Sequence, residues 1–411
     1  MPTRKKSKLH QDFIEVIYKL ADLLNLKEID YVVNYGSDEI DSFSSGTNKV
    51  ELSGYVDGQK VKQKLIVKWR PINDYRDHFR ESYKREYIFY QYIGPKYLEI
   101  QRNFNVIEGL KLKILNCIYA SAEYDKESIV VRDLDGQRYK FHNRFSEIDL
   151  DHVSLVVKNL AKMHALSFVW ARTDPTEFLK IRNLCSKDVQ YSDVSRVPNH
   201  MKFYYDTSVN VVSDLVAKEE LKALSSDIFS ILHECTLPVE NYGAFCHGDC
   251  WTNNAIFKYT GRRPIEVILV DYQLGRYASP ATDLSYFLYM STSGEILFKH
   301  YDRVLDIYYG TLTAVLRQCN LDINDVYPKS IFTEHLQRYS VFGLIEALIS
   351  MLIITSPTEK ALQLTEATDH PPRELNCGKD CPYMTGYVKR VNDVVKHFFE
   401  RKYSLRSVLS E

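Results

Sequence analysis

The densest grouping of reactive side chains is Cys246-His247-Gly248-Asp249-Cys250-Trp251-Thr252-Asn253-Asn254. Ala255 to Tyr259 reads as a short strand, Thr260-Gly261-Arg262-Arg263-Pro264 as a turn, and Ile265 to Val270 as a returning strand ending at Asp271. Counted outward from that turn, Asn254 and Asp271 come out nearly opposite, which in an antiparallel pair means about 5 Å between Cα atoms. An amide oxygen and a carboxylate at that separation suit Mg²⁺, a hard ion that takes oxygen ligands. Asp249, on the loop just before, is placed to orient a hydroxyl. A carboxylate for an attacking hydroxyl and two oxygen ligands for a phosphate-bound ion meet the needs of phosphoryl transfer. That reaction depends on in-line positioning and charge neutralisation more than on covalent chemistry.

Two further charges earlier in the chain fit the same reaction. Asn48 to Val56 and Gln59 to Trp69 read as strands joined by Asp57-Gly58, a strong two-residue hairpin signal. Equal counting from the turn sets Lys68 across from Thr47, beside Ser44-Ser45-Gly46, a small flexible segment where Ser45 and Gly46 could bring backbone amides to phosphates. Asp77 to Tyr92 has helical periodicity with Phe79, Tyr83, Tyr87 and Tyr90 as an aromatic stripe, and Glu86 falls on that face. A carboxylate facing inward needs a partner, and Lys68 is the nearest candidate in chain order. Lys68, Glu86, Asp249, Asn254 and Asp271 then stand in the order of the protein-kinase catalytic layout, with His247 in its H-x-D position. The departures are a missing G-x-G-x-x-G loop, Asp271-Tyr272-Gln273 in place of D-F-G, and no long activation segment, since Ser279-Pro280 and a helix containing Asp283 follow within a few residues. Protein kinases dock a peptide on that segment, so a small-molecule substrate is expected here.

The elements that must position these residues make an α+β chain. The expectation is a protein-kinase-like two-lobed fold: a small N-terminal, nucleotide-binding lobe with an antiparallel sheet at 1–134, and a larger, mainly helical catalytic and substrate-binding lobe at 135–411. A length of 411 residues exceeds what one core usually serves. Ser128 to Val131 is a short apolar strand, and Arg132-Asp133-Leu134-Asp135-Gly136 reads as the linker. Leu150 to Trp170 is a helix with Val153, Val156, Leu160, Met163 and Ser167 on one side and His164 beside them as a core histidine. Val341 to Ile354 is too short for a membrane span and is interrupted by Glu346, so it reads as a buried helix. A net charge of −1 gives no reason to expect nucleic acid or an anionic membrane as a partner, and no protein partner is implied. Met1 to Asp12 has no apolar core of a secretory signal, and the eight cysteines have no repeating spacing, so free thiols and a cytoplasmic location are expected. Neither the Cys246/Cys250 nor the Cys377/Cys381 pair has a second cluster at zinc-site spacing.

His247-Gly248-Asp249-Cys250-Trp251-Thr252-Asn253-Asn254, Val270-Asp271-Tyr272-Gln273, Ser279-Pro280-Ala281-Thr282-Asp283-Leu284 and Leu160-Ala161-Lys162-Met163-His164-Ala165 resemble the ecdysteroid-kinase-like family. That family belongs to the wider choline-kinase and aminoglycoside-phosphotransferase group, and the similarity runs from about residue 30 to residue 400. The resemblance implies ATP- and Mg²⁺-dependent phosphorylation of a hydroxyl, with ecdysteroids as the name-giving substrates. It implies Asp249 as catalytic base, Asn254 and Asp271 as metal ligands, and Lys68 with Glu86 as the ion pair. Asp283 is implied as a helix aspartate bracing the catalytic loop, with His247 as further structural support. Adenine is implied to bind backbone groups at Asp133 and Leu134, where Arg132 replaces the family's usual acidic residue. An uncharged, apolar multi-ring alcohol is the expected acceptor, with Trp251 as one candidate contact. A cationic alcohol of the choline or aminoglycoside type, and a pseudokinase that only binds nucleotide, are the alternatives.

Overall fold

A computed structural model describes residues 11–35, 47–69, 76–124, 126–134, 136–186, 190–191, 199–359, 361, 364 and 382–409. The chain divides into one unit of Met1–Gln91 with Leu115–Arg138 and a second of Tyr92–Ile114 with Tyr139–Glu411.

The first unit contains α1 (Gln11–Leu23), β1 (Lys27–Tyr35), β2 (Thr47–Val56), β3 (Gln59–Trp69), α2 (Arg76–Ile88), β4 (Cys117–Ser121) and β5 (Ser128–Arg132). The strands form one antiparallel sheet in the order β1-β2-β3-β5-β4. Asp57 and Gly58 both take positive φ, at 49° and 78°, the backbone that lets a two-residue turn match the strand twist. The turn fixes the register from Val56↔Gln59 to Thr47↔Lys68. Alternation then turns Val50, Leu52, Leu65 and Val67 to one face, where they bury against Phe13, Val16, Ile17 and Leu20 of α1.

The second unit is mainly helical. It contains α3 (Gly94–Asn103), α4 (Leu150–Thr173), α5 (Pro175–Leu184), α6 (Asn199–Asn210), α7 (Leu215–Leu224), α8 (Ile228–Thr236), α9 (Pro280–Ser291), α10 (Tyr301–Gln318), α11 (Ile323–Val326), α12 (Lys329–Thr355) and α13 (Pro382–Glu400). Two small sheets lie among them, with β6 (Tyr139–Phe141), β8 (Ala255–Thr260) and β9 (Arg263–Leu269) in one and β7 (Ala244–Cys246) and β10 (Arg276–Ala278) in the other. Asp149 caps α4 by accepting from the His152 backbone N–H, and Val153, Val156, Leu160 and Met163 are buried as the periodicity requires. α12 crosses α9 at Gly343, where a Cβ would lie 2.3 Å from the Ser285 carbonyl carbon. Only glycine permits that approach.

One expectation is corrected here, and the buried-helix reading of Val341 to Ile354 holds. The sequence boundary at 134 places Tyr92–Ile114 in the first unit, whereas the structure groups it with the second. The helix begun at Arg76 passes through a π turn at Phe89–Ile93 and continues as α3, whose Tyr97 ring meets Trp170 of α4 edge-on at 6.4 Å. The apolar run at Val341–Ile354 belongs to a 27-residue helix, long and apolar enough by composition to cross a membrane. Its most apolar window is 78% buried within the unit, as a core helix is.

Candidate active site

In the first unit, Lys68 Nζ lies 2.7 Å from Glu86 Oε2, and the two side chains are only 12% and 5% exposed. Burial in a low-dielectric setting makes this ion pair costly to break. Tyr83, one turn before Glu86, brings its ring within 5.7 Å of the ammonium. Ser45 and Gly46 lie outside the described residues. Asp133 uses its N–H on the Lys64 carbonyl at 3.0 Å, and the Leu134 carbonyl accepts from Gln137 at 3.0 Å.

In the second unit the catalytic loop leaves β7 and is fixed by α9. Ser279 caps that helix by accepting from the Ala281 N–H, and Pro280 occupies its first turn, where no N–H is needed. This sets Asp283 beneath the loop, where Oδ2 accepts from the His247 N–H at 2.7 Å and Oδ1 from the Gly248 N–H at 2.9 Å. His164 donates from Nε2 to the same carboxylate at 3.1 Å, and its Nδ1 bonds Tyr308. Burial alone would raise Asp283, but the bond from His164 and the nearby imidazoles and Arg276 hold it below the ordinary carboxylate range. Gly248 has φ +84°, and a Cβ there would lie 2.0 Å from the Leu274 carbonyl oxygen. From above, Arg276 donates to the Gly248 carbonyl at 3.4 Å.

His247 joins the loop to the hairpin. Its Nε2 donates to the Val270 carbonyl at 3.0 Å, while Nδ1 accepts from the Asp249 N–H at 3.3 Å. Burial lowers its pKa, in keeping with the neutral ring that this pair of bonds requires. Val270 in turn donates to the Asn254 carbonyl at 2.9 Å. The hairpin register is one residue away from the sequence expectation. The turn residues are Gly261-Arg262, a bulge falls between Lys258 and Tyr259, and Ala255 pairs with Leu269. Asn254 is therefore level with Val270, and Asp271 is the next residue, with φ 67°, which turns the chain off the strand.

Both oxygens of Asp249 are held. Asn254 Nδ2 donates to Oδ2 at 2.9 Å and to the Asp249 carbonyl at 2.8 Å, and the Tyr286 hydroxyl donates to Oδ1 at 2.6 Å. Burial pushes the Asp249 carboxyl up to about 7, with the charges of Asp271 and Glu346 adding to it and the bonds from Tyr286 and Asn254 opposing it. Sequence reasoning missed two of these neighbours. Tyr286 follows Asp283 by one helical turn, a spacing that puts it on the same side of α9. Glu346 was read only as a break in an apolar run. It is buried and accepts from the buried Tyr191 hydroxyl, so the signal was an inward carboxylate in need of a partner.

The donor set fits Mg²⁺. With its Nδ2 committed to Asp249, Asn254 has its amide oxygen left as an ion ligand, and Asp271 supplies a carboxylate from the adjacent strand end. Such an ion would supply charge neutralisation on phosphate oxygens.

The model of the ecdysteroid kinase-like family matches residues 39–321. Solved structures similar to this chain include Plasmodium vivax ethanolamine kinase, at 10% identity over 96% of this chain and 91% of that one, with a TM-score of 0.42. An aminoglycoside phosphotransferase from Alicyclobacillus acidocaldarius matches at 13% identity over 99% and 97%, with a TM-score of 0.33. A glucosamine kinase matches at 13% identity over 88% and 85%, with a TM-score of 0.36. No match was found among curated protein sequences.

Proposed function

Because this chain belongs to the ecdysteroid kinase-like family, we propose that it is an ATP- and Mg²⁺-dependent small-molecule kinase that phosphorylates a hydroxyl of an ecdysteroid or similar apolar alcohol. The observation that carries the reading is Asp249, a carboxylate with both oxygens oriented by Tyr286 and Asn254. In this reading Asp249 takes the proton from the attacking hydroxyl, and the alkoxide oxygen forms the new P–O bond as the bond from the γ-phosphorus to the β–γ bridging oxygen breaks, releasing ADP. Asn254 and Asp271 would hold the ion, and Lys68, steadied by Glu86, would hold phosphate oxygens. A small acceptor is favoured because α9 begins at Pro280, leaving only Tyr272 to Ser279 after Asp271. The six described cysteines are free and all but Cys117 are buried, which supports a reducing, cytoplasmic setting.

The cationic-alcohol reading has one observation in its favour, the buried Glu346 close enough to Asp249 to raise its pKa. Glu346 already accepts from the Tyr191 hydroxyl. ATP turnover against a panel of ecdysteroids, other apolar alcohols, choline and aminoglycosides tests the assignment. Turnover of choline and of no apolar alcohol would replace it.

A further inference from the structure

Beside Trp251, Thr252 and Asn253 of the catalytic loop, within the second unit, lies a pocket of about 400 Å³. Its wall begins at Trp251, two residues after Asp249, and Thr252 is tied to the end of α9 by its N–H bond to Ser291 Oγ at 3.0 Å. Phe145, Trp251, Met290 and Ile354 give it apolar sides. Among the described residues, Arg144, Lys389 and Arg390 line it with one carboxylate, that of Glu147. Lys389 is paired with Asp393 at 2.8 Å. Arg390 has no carboxylate in ion-pair contact among the described residues, and its Nη2 donates to the neutral Met290 carbonyl at 2.7 Å. Burial pushes its guanidinium down to about 10 despite the more distant Glu147 and Asp393. Arg144 donates to the Ile354 carbonyl at 2.8 Å and the Thr358 hydroxyl at 3.2 Å.

We propose that this pocket seats an acidic group of the acceptor, so that among ring-built apolar alcohols the preferred substrate also bears a carboxylate, sulfate or phosphate ester remote from the reacting hydroxyl. The proposal rests on the kinase reading of Asp249. Trp251 of the pocket wall follows Asp249 by two residues, at most about 7 Å of extended chain, a span that an alcohol built on a few fused rings covers. Its rings meet the apolar walls and its oxyanion meets guanidinium groups, which bind such anions through paired N–H donors. The same basic lining works against a cationic acceptor.

The test compares three alcohols on one hydroxysteroid scaffold, with a neutral, a carboxylate or an amine side chain, using the full chain and Mg·ATP. The carboxylate compound is expected to exceed the neutral one at least about tenfold in kcat/KM, chiefly through KM, the worth of one charge-assisted hydrogen bond, with the amine compound last. A sulfate ester on the same scaffold should behave like the carboxylate, and free inorganic sulfate should compete with both. Arg390→Met should remove most of the preference and Arg390→Lys should keep part of it. Equal or better turnover of the neutral or amine compound, or a preference that survives Arg390→Met in a folded variant, would overturn the proposal and leave the kinase reading standing. If Arg390→Met does not fold, the wild-type ranking and Arg390→Lys decide. Mg·ATP binding without turnover of any of the compounds, or of the wider alcohol panel, would overturn the kinase reading itself.

Discussion

Asp249 is held by one bond to each carboxylate oxygen, and the two bonds do different work. The amide of Asn254 ties the carboxylate to its own loop, whereas the Tyr286 hydroxyl reaches it from α9. Asp249→Asn keeps the size and the Tyr286 contact but cannot accept a proton. Turnover should fall by about 10²–10⁴-fold in a variant that is no less stable than wild type at pH 7, since the amide removes a buried charge, and wild-type turnover in a folded variant would remove the general-base role. Tyr286→Phe deletes a bond to the charged form of Asp249, which costs about 1.5–3 kcal/mol when such a bond is lost. The variant should lose roughly tenfold or more in kcat, and the acid limb of its pH profile should move to higher pH, because a donor to the carboxylate lowers its pKa. An unmoved limb with full activity would show that the tyrosine only packs. Lys68 and Glu86 form the other charged contact of the set, at 2.7 Å, as the inward-facing glutamate required.

Elements differ in how much of their geometry local sequence encodes. The β2–β3 register follows from Asp57-Gly58, because a two-residue turn with both φ positive admits one pairing, and Thr47↔Lys68 is what that turn dictates. The β8–β9 register does not follow in the same way, since the stretch Thr260 to Pro264 leaves the turn centre open and the bulge at Lys258/Tyr259 adds a residue to one strand. The expected Asn254–Asp271 opposition was therefore one residue out. Tyr286 donates to Asp249 and Glu346 raises its pKa from helices distant in sequence; the chain marks both as inward-facing but not which residue each one meets. Gly248 is different: its type alone marks a special backbone, and the structure supplies φ +84° and a carbonyl 2.0 Å from where Cβ would be. Gly248→Ala should destabilise the loop by roughly 1–3 kcal/mol and distort the bonds to Asp283. Urea denaturation with a turnover assay would check this, and an alanine variant with native stability and kcat would contradict the clamp drawn here.

For the whole molecule, the titration of buried groups sets the response to acid. His335 and His397 are buried, and desolvation first of all lowers each from 6.5 to about 4. Between those values the unfolded chain takes up protons that the folded chain refuses, so each histidine contributes stability above pH 6.5 that is lost as pH falls to about 4. At about 1.4 kcal/mol per pKa unit that is roughly 3 kcal/mol for each. Asp249 acts with the opposite sign. Its carboxyl is raised from 3.8 to about 7, so the folded chain binds the extra proton in that window and gains stability as pH falls. Three such groups do not cancel, because two histidines oppose one carboxyl. In metal-free, nucleotide-free buffer the melting temperature should therefore drop between pH 6.5 and 4. Asp249→Asn removes the compensating gain, so its decline should be steeper than that of the wild type. His335→Gln removes one source of loss and should be shallower, after allowance for the bonds from Ser279 and Tyr327 that its Nδ1 makes. Parallel curves for all three proteins from pH 7 to 4 would mean that these groups titrate alike in the folded and unfolded chains. The opposite ordering, with Asp249→Asn the shallowest, would reverse the sign assigned to the catalytic carboxyl.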